Sequence, residues 1–199
     1  MTLLEIPAET LREISTPVLE TERLILRAPT LGDAKAIAKL ANDRRIAENT
    51  ARIPHPYGLS DAKEFIASVK PTGGEIVFLI ALTNETVIGA CGIGHLDGQN
   101  PEVGYWLGIR YWGKGYATEA VRAVIDHAFT QLEYDALQSS ARVTNPASRR
   151  VLEKCGFQWT GAGLCRIRAL ASSAPVDRFR LDRGLWASLK SWGKVKRVA

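Results

Sequence analysis

Residues 101–120 read Pro-Glu-Val-Gly-Tyr-Trp-Leu-Gly-Ile-Arg, then Tyr-Trp-Gly-Lys-Gly-Tyr-Ala-Thr-Glu-Ala. The first half reads as a strand and the second as a glycine-bearing turn that opens a helix. A helix leaves its first backbone N–H groups unpaired and carries partial positive charge at the same end, so this combination suits phosphate oxygens. Gly113 and Gly115 lack a Cβ and let a bulky anion approach the main chain, and Lys114 between them adds a point charge. The spacing Arg110-x-x-Gly113-x-Gly115 is not that of a nucleotide triphosphatase loop, which needs four residues between its first Gly and a Gly-Lys-Ser/Thr end. Thr118 stands where a dinucleotide-binding fingerprint would close on Gly. Taken alone, a glycine pair before a helix is also what an ordinary turn uses.

Length and composition narrow the field. A chain of 199 residues is most simply one domain, long enough for a core without disulfides or metal. No apolar run approaches the ~20 residues of a membrane span. Glu5 and Glu9 stand where a secretion signal would be basic, so a cytoplasmic protein is expected. Cys91, Cys155 and Cys165 match neither a disulfide framework nor a zinc site, and His55, His95 and His127 are scattered, so no metal is expected. Of the net charge of +5, four charges come from Lys190, Lys194, Lys196 and Arg197. One short cluster without interleaved aromatics is a poor nucleic-acid footprint and reads more simply as a solvated terminus.

Taken in order, the chain alternates elements. A strand is expected over 23–28 and a helix over 30–42, capped by Thr30. Residues 43–59, with His55 between Pro54 and Pro56, form a loop that either lines a substrate pocket or simply connects. A second helix over 60–70 stops at Pro71-Thr72-Gly73-Gly74. Strands over 75–82 and 86–96 are close enough for an antiparallel hairpin. After the turn at 97–100 come a strand over 102–109, a helix over 116–132 and a strand over 136–143. Asn145 as N-cap, Pro146 at the first helical position and Gly156 beyond the end frame another helix. Strands over 157–168 and 176–184 close the fold. The strand, helix and strand from 102 to 143 make a parallel crossover inside an otherwise antiparallel sheet. The fold class is therefore α+β, with about seven strands in a mixed, mostly antiparallel sheet and helices on both faces. Residues 1–20 read as an N-terminal extension, 21–184 as the domain and 185–199 as a basic tail.

The order of elements, Tyr111-Trp-Gly-Lys-Gly-Tyr-Ala-Thr-Glu-Ala120 and Asn145-Pro-Ala-Ser-Arg-Arg-Val-Leu-Glu-Lys-Cys-Gly-Phe157 together resemble the GNAT acetyltransferase superfamily. Within it, the ribosomal-protein N-terminal (Rim-type) branch is the most similar. The resemblance covers about 21–182 and implies an acetyl-coenzyme A site whose diphosphate lies on the backbone N–H groups of Gly113, Lys114, Gly115, Tyr116 and Ala117, with Thr118 and Arg110 beside it. It implies that the strand ending Leu107-Gly108-Ile109 splays from the strand at 138–143, with a bulge at Gly108, and that the pantetheine arm enters the gap. It also implies that Asn145 contacts the pantetheine, beyond capping its helix, and that Arg149 or Arg150 meets a coenzyme phosphate or is merely solvated.

Transfer from a thioester to an amine needs a neutral amine. A lysine titrates near ~10.4 and an α-amine near ~7.7–8.0, so an α-amine asks less of a base. Glu102, at the start of the strand leading to the coenzyme, stands where the resemblance puts a catalytic carboxylate. Many members place a tyrosine on the helix after Asn145 to serve the leaving thiolate; the matching position is Leu152, which moves the role to Ser148. Cys155 has no paired histidine in sequence and is not expected to be a nucleophile. The acceptor is a peptide N-terminus or a small amine such as an amino acid, polyamine or antibiotic, with residues 43–59 and 164–177 deciding between them. A coenzyme-binding sensor without turnover is the alternative of a different class. Trp186 and Trp192 either support a homodimer or pack the final strand of a monomer.

Overall fold

The computed structural model describes residues 16–69, 75–94 and 101–192. The N-terminal apolar stretch, the stop at 71–74, His95, the turn at 97–100, and Lys194, Lys196 and Arg197 lie outside the described residues.

The elements follow the expected order: β1 Leu19–Glu20, β2 Leu24–Arg27, α1 Ala34–Ala41, α2 Arg44–Ala47, α3 Leu59–Ser68, β3 Ile76–Leu82, β4 Val87–Gly94, β5 Glu102–Leu107, α4 Tyr116–Thr130, β6 Ala136–Arg142, α5 Pro146–Lys154, β7 Gln158–Ile167, β8 Ser172–Asp182 and α6 Arg183–Trp192. They build one mixed sheet in the order β1-β2-β3-β4-β5-β6-β8-β7. Among the described residues it has eight strands, where the sequence suggests about seven. The additional one is β1, two residues of the expected N-terminal extension that pair with Leu26 and Ile25 at the sheet edge.

Alternation along β3 explains the layering. Phe78 and Ile80 enter a core with α4, while Leu79 between them enters a second core with α1 and α3. Helices therefore cover both faces of the sheet. The α1 entrance is fixed by Asp33, whose carboxylate accepts from the Thr30 backbone N–H at 2.8 Å and from the Arg27 guanidinium at 2.8 and 2.9 Å. These donors hold its carboxyl down at about 2, against the opposing cost of burial.

The presumed tail begins as a helix. In α6, the Trp186 ring lies 5.2 Å from that of Phe129, and its Nε1–H donates to Asp126 Oδ1 at 2.8 Å. Lys190 pairs with Asp126 Oδ2 at 2.7 Å. Trp186 thus packs against α4, and Lys190, although exposed, pairs with the same helix.

The middle of the sheet sets up the site. β4 and β5 share six registered pairs, but the parallel neighbours β5 and β6 share one, Glu102 with Gln138. Beyond it, side chains replace the ladder: Ser139 Oγ donates to Val103 O at 2.8 Å and Ser140 Oγ to Glu102 Oε1 at 2.8 Å. Without main-chain pairing to hold them, the strands part toward their C-terminal ends. The expected bulge at Gly108 is absent. Gly108 N–H donates to Ile88 O at 2.8 Å, and the chain then leaves the sheet in a 3-10 turn over Ile109–Tyr111. A Cβ on Gly108 would stand 2.6 Å from Leu40 Cδ2, so the glycine serves close approach of α1.

Candidate active site

The open ends of β5 and β6 lead into the two helix N-termini that the sequence motifs specify. Gly115 is the N-cap of α4 with φ 82°, and Gly113 has φ 73°, both in the left-handed region that favours glycine. The first α4 backbone bond runs from Glu119 N–H to Gly115 O at 3.1 Å, so the N–H groups of Tyr116, Ala117 and Thr118 precede the helical ladder. An acid in this first turn would oppose an anion, but Glu119 is already taken. Arg23 Nη2 lies 2.6 Å from its Oε2, and Thr21 Oγ1 donates to Oε1 at 2.6 Å. Arg23 also donates to Lys114 O at 3.1 Å and lies over the Tyr116 ring at 4.7 Å. This arginine clamps the glycine loop to β2, a role that the sequence does not disclose.

Cations surround the loop. Arg110 and Lys114 approach the Tyr111 ring at 4.8 and 5.9 Å and form no ion pair among the described residues. On α5, Arg149 is committed to Glu153 at 2.9 Å and Asp177 at 3.3 Å, whereas Arg150 is exposed and forms no ion pair among the described residues. Of the two expected phosphate arginines, Arg150 is the one left unengaged. Asn145 caps α5, its Oδ1 accepting from Ser148 N–H at 3.1 Å. Leu107 is buried at the end of β5, and Ile109 begins the 3-10 turn.

Glu102 and Ser148, 46 positions apart in sequence, line one cavity of about 540 Å³ at the splay. Its walls include Tyr57 and Phe65, Trp106, the serines 139 and 140, and Ile167. The two acceptor segments expected from the sequence meet here, since Arg168 N–H donates to Ala51 O at 2.9 Å. The second segment is not a loop but a hairpin, β7 and β8 closing through a 3-10 turn at Arg168–Leu170. Opposite it, Gly92 and Gly104 face each other across β4 and β5, and a Cβ on Gly104 would meet nothing within 4 Å. That stretch of wall has no side chain.

Three side chains that sequence reasoning missed complete the cavity. Ser140 holds Glu102, as described. Tyr105 brings its hydroxyl to 2.8 Å from Ser148 Oγ and donates to Ser148 O at 3.1 Å. Arg142 donates to Glu48 O at 2.9 Å, tying the loop after α2 to the end of β6. Each contact spans 38 to 94 positions of chain, so no local motif announces it. Leu152, at the position where the resemblance leads one to expect a tyrosine, is fully buried in the α4-side core. The Cys155 thiol is pushed up to about 11 by burial, which leaves it protonated and a poor nucleophile.

A second cleft, of about 860 Å³, lies between residues 18–23 and α4. It contains neither Glu102 nor Ser148, and of the four acids that line it Glu119 and Asp126 are engaged by Arg23 and Lys190. Among the described residues no cluster of His, Cys, Asp and Glu forms a metal site, and no helix is long and apolar enough to cross a membrane.

The glycine-capped N-terminus of α4 thus stands beside the parting strands β5 and β6, with Glu102 and Ser148 lining the cavity between them. The chain belongs to the GNAT acetyltransferase family: the family model described as Acetyltransferase (GNAT) domain matches residues 23–158. It is 33% identical over 150 residues to the uncharacterized N-acetyltransferase p20 of Bacillus licheniformis, covering 72% of this chain and 83% of that protein. Among solved structures, the ribosomal L7/L12 alpha-N-protein acetyltransferase RimL in complex with coenzyme A aligns at TM-score 0.74, with 17% identity over 83% of this chain and 98% of that one. A chimera of the spermidine N-acetyltransferase SpeG from Vibrio cholerae with hSSAT aligns at TM-score 0.69, with 20% identity over 82% and 98%. At these identities the structural likeness is one of fold, and it spans a protein α-amine acetyltransferase and a polyamine acetyltransferase alike. The protein is an acetyl-CoA-dependent N-acetyltransferase.

Proposed function

We propose that the acceptor is the α-amine of a protein or peptide, as in the Rim-type branch. The observation that carries this reading is the charge balance of the cavity. Asp61, Glu64, Glu75 and Glu102 line it together with Arg52, Arg142 and Arg168, and Arg52 is already paired with Glu75. Four carboxylates matched by three arginines give no strong field for a polycation, which favours an acceptor carrying a single amine among neutral peptide groups.

In this reading the diphosphate of acetyl-CoA lies on the N–H groups from Gly113 to Ala117, with Arg110, Lys114 and Arg150 as counter-charges, and the pantetheine passes Leu107, Ile109 and Asn145 between β5 and β6. The fit rests on the two left-handed glycines and on the gap left where main-chain pairing between β5 and β6 ends. Acetyl-CoA supplies the thioester carbon that the amine attacks. Glu102, its Oε1 fixed by Ser140, takes the proton that the attacking amine must lose. Ser148 directs its hydroxyl to the thiolate that leaves. Because an α-amine titrates near ~7.7–8.0, a carboxylate acting directly or through one water is a sufficient base.

Free-thiol release from acetyl-CoA against a panel of N-terminal peptides, polyamines, amino acids and aminoglycosides tests the acceptor. The reading predicts turnover on peptides with a free α-amine and little on the same peptides N-formylated with lysines intact. Preference for a polyamine or an aminoglycoside would overturn it in favour of a small-amine acetyltransferase.

A further inference from the structure

The hydrogen bond between the hydroxyls of Tyr105 and Ser148 has no part in the roles assigned above. Tyr105 stands on β5, on the same face as Val103 and Leu107, and packs against the α4-side core. Its oxygen meets the first turn of α5 twice, 2.8 Å from Ser148 Oγ and 3.1 Å from Ser148 O. The Ser148 backbone N–H is spent on Asn145 Oδ1, so the main chain on either side of this serine is fixed. Only its hydroxyl remains to choose a direction.

A phenol has one proton and here has two acceptors within reach. When Tyr105 donates to the backbone carbonyl of Ser148, the serine proton turns back onto the tyrosine oxygen and is withheld from the cavity. When Tyr105 donates to Ser148 Oγ, the serine proton is released and points into the cavity. A thiolate developing beside Ser148 favours the second arrangement. We propose that Tyr105 is a positioning residue that donates to Ser148 Oγ and so aims the serine hydroxyl at the leaving thiolate, performing from β5 part of the work that a tyrosine at position 152 would perform directly. Burial pushes the Tyr105 phenol well above its ordinary value, so it stays protonated and acts as a donor throughout the working pH range. No proton is transferred from it. The hydrogen bond shifts acceptor, and the proton that finally reaches the thiolate comes from Ser148 with replacement from water, or from water itself.

The proposal rests on the reading of Ser148 as the thiolate partner, and a double-mutant cycle separates the two. Tyr105→Phe, Ser148→Ala and the double variant are compared in the full-length protein with acetyl-CoA and the best acceptor of the panel. Losing an orienting hydrogen bond to a group that acts in the transition state predicts a fall of about tenfold in kcat for Tyr105→Phe, with KM for acetyl-CoA within about twofold of wild type. In the Ser148→Ala background, Tyr105→Phe should have no further effect, because there is no hydroxyl left to aim. A merely structural tyrosine would lower kcat equally in both backgrounds. The thermal shift caused by coenzyme A, measured on each variant, verifies that the splay is still folded. Full multiplicative losses, or an unchanged Tyr105→Phe beside an impaired Ser148→Ala, overturn the role of Tyr105 alone. An unimpaired Ser148→Ala overturns the reading of Ser148 and the role of Tyr105 with it.

Discussion

Substituting Gly104 should separate stability from activity. Gly104 lies within β5 without a positive φ, opposite Gly92, and a Cβ there would meet nothing within 4 Å. A Cβ at this position therefore strains no backbone and clashes with no protein atom, and the γ-methyls of a valine extend from it. Glycine inside a strand costs about 0.5–1 kcal/mol relative to a residue with a side chain, and valine suits the pleated surface well. Gly104→Val is thus expected to raise Tm by about 1–4 °C in a domain of this size. The same side chain projects into the cavity that holds Glu102 and Ser148. If substrates occupy that space, the complex must absorb an overpacking cost of about 1–3 kcal/mol, roughly a 5- to 150-fold loss in kcat/KM. Gly104→Ala should fall between wild type and valine on both scales. The assays are a thermal melt and thiol release at varied concentrations of each substrate. Wild-type kcat/KM in Gly104→Val would place the substrates elsewhere, and a lowered Tm would refute the reading of open space.

Three further outcomes follow from the same geometry. Gly115→Ala forces a side chain into the left-handed region at the α4 cap, at a cost of about 1–2 kcal/mol; it should lower Tm by several degrees and shrink the shift produced by coenzyme A, both read in one melting series. Ser140→Ala removes the donor to Glu102 and should lower kcat severalfold while leaving the coenzyme thermal shift unchanged. Asp33 is held at about 2 in the folded state against ~3.9 unfolded, so its stabilising contribution is present above pH ~3.9 and is lost as pH falls toward 2. The Tm gap between wild type and Asp33→Asn should accordingly be full at pH 6 and narrow on acidification below about pH 4.

The sequence discloses what is local. The Asn145-Pro146 start, the Gly113 and Gly115 turn and the order of elements along the chain need only neighbours in sequence, and the structure carries each of them. The crossover from β5 through α4 to β6 is legible for the same reason. What stays hidden depends on contacts between distant segments. Glu102 is named from the family resemblance at its strand start, but Ser140 is not, because its hydrogen bond to Glu102 forms only where β6 parts from β5. Tyr105 reads as one more aromatic in a strand until α5 is laid beside it. The C-terminal helix did carry a signal: Leu185, Trp186 and Leu189 share a helical stripe, which the neighbouring basic residues mask. Gly108 shows the opposite error, a glycine credited to a bulge when the packing of Leu40 explains it.

Glu102→Gln tests the central claim most directly. The substitution keeps the side chain's shape and an oxygen that can accept from Ser140, and it removes the negative charge together with the capacity to take a proton. Thiol release with the best acceptor and the thermal shift by coenzyme A are measured on the same preparation. If Glu102 is the base of an acetyl transfer centred on this cavity, kcat falls by at least about tenfold and the coenzyme shift is unchanged. Undiminished turnover in Glu102→Gln would contradict the account.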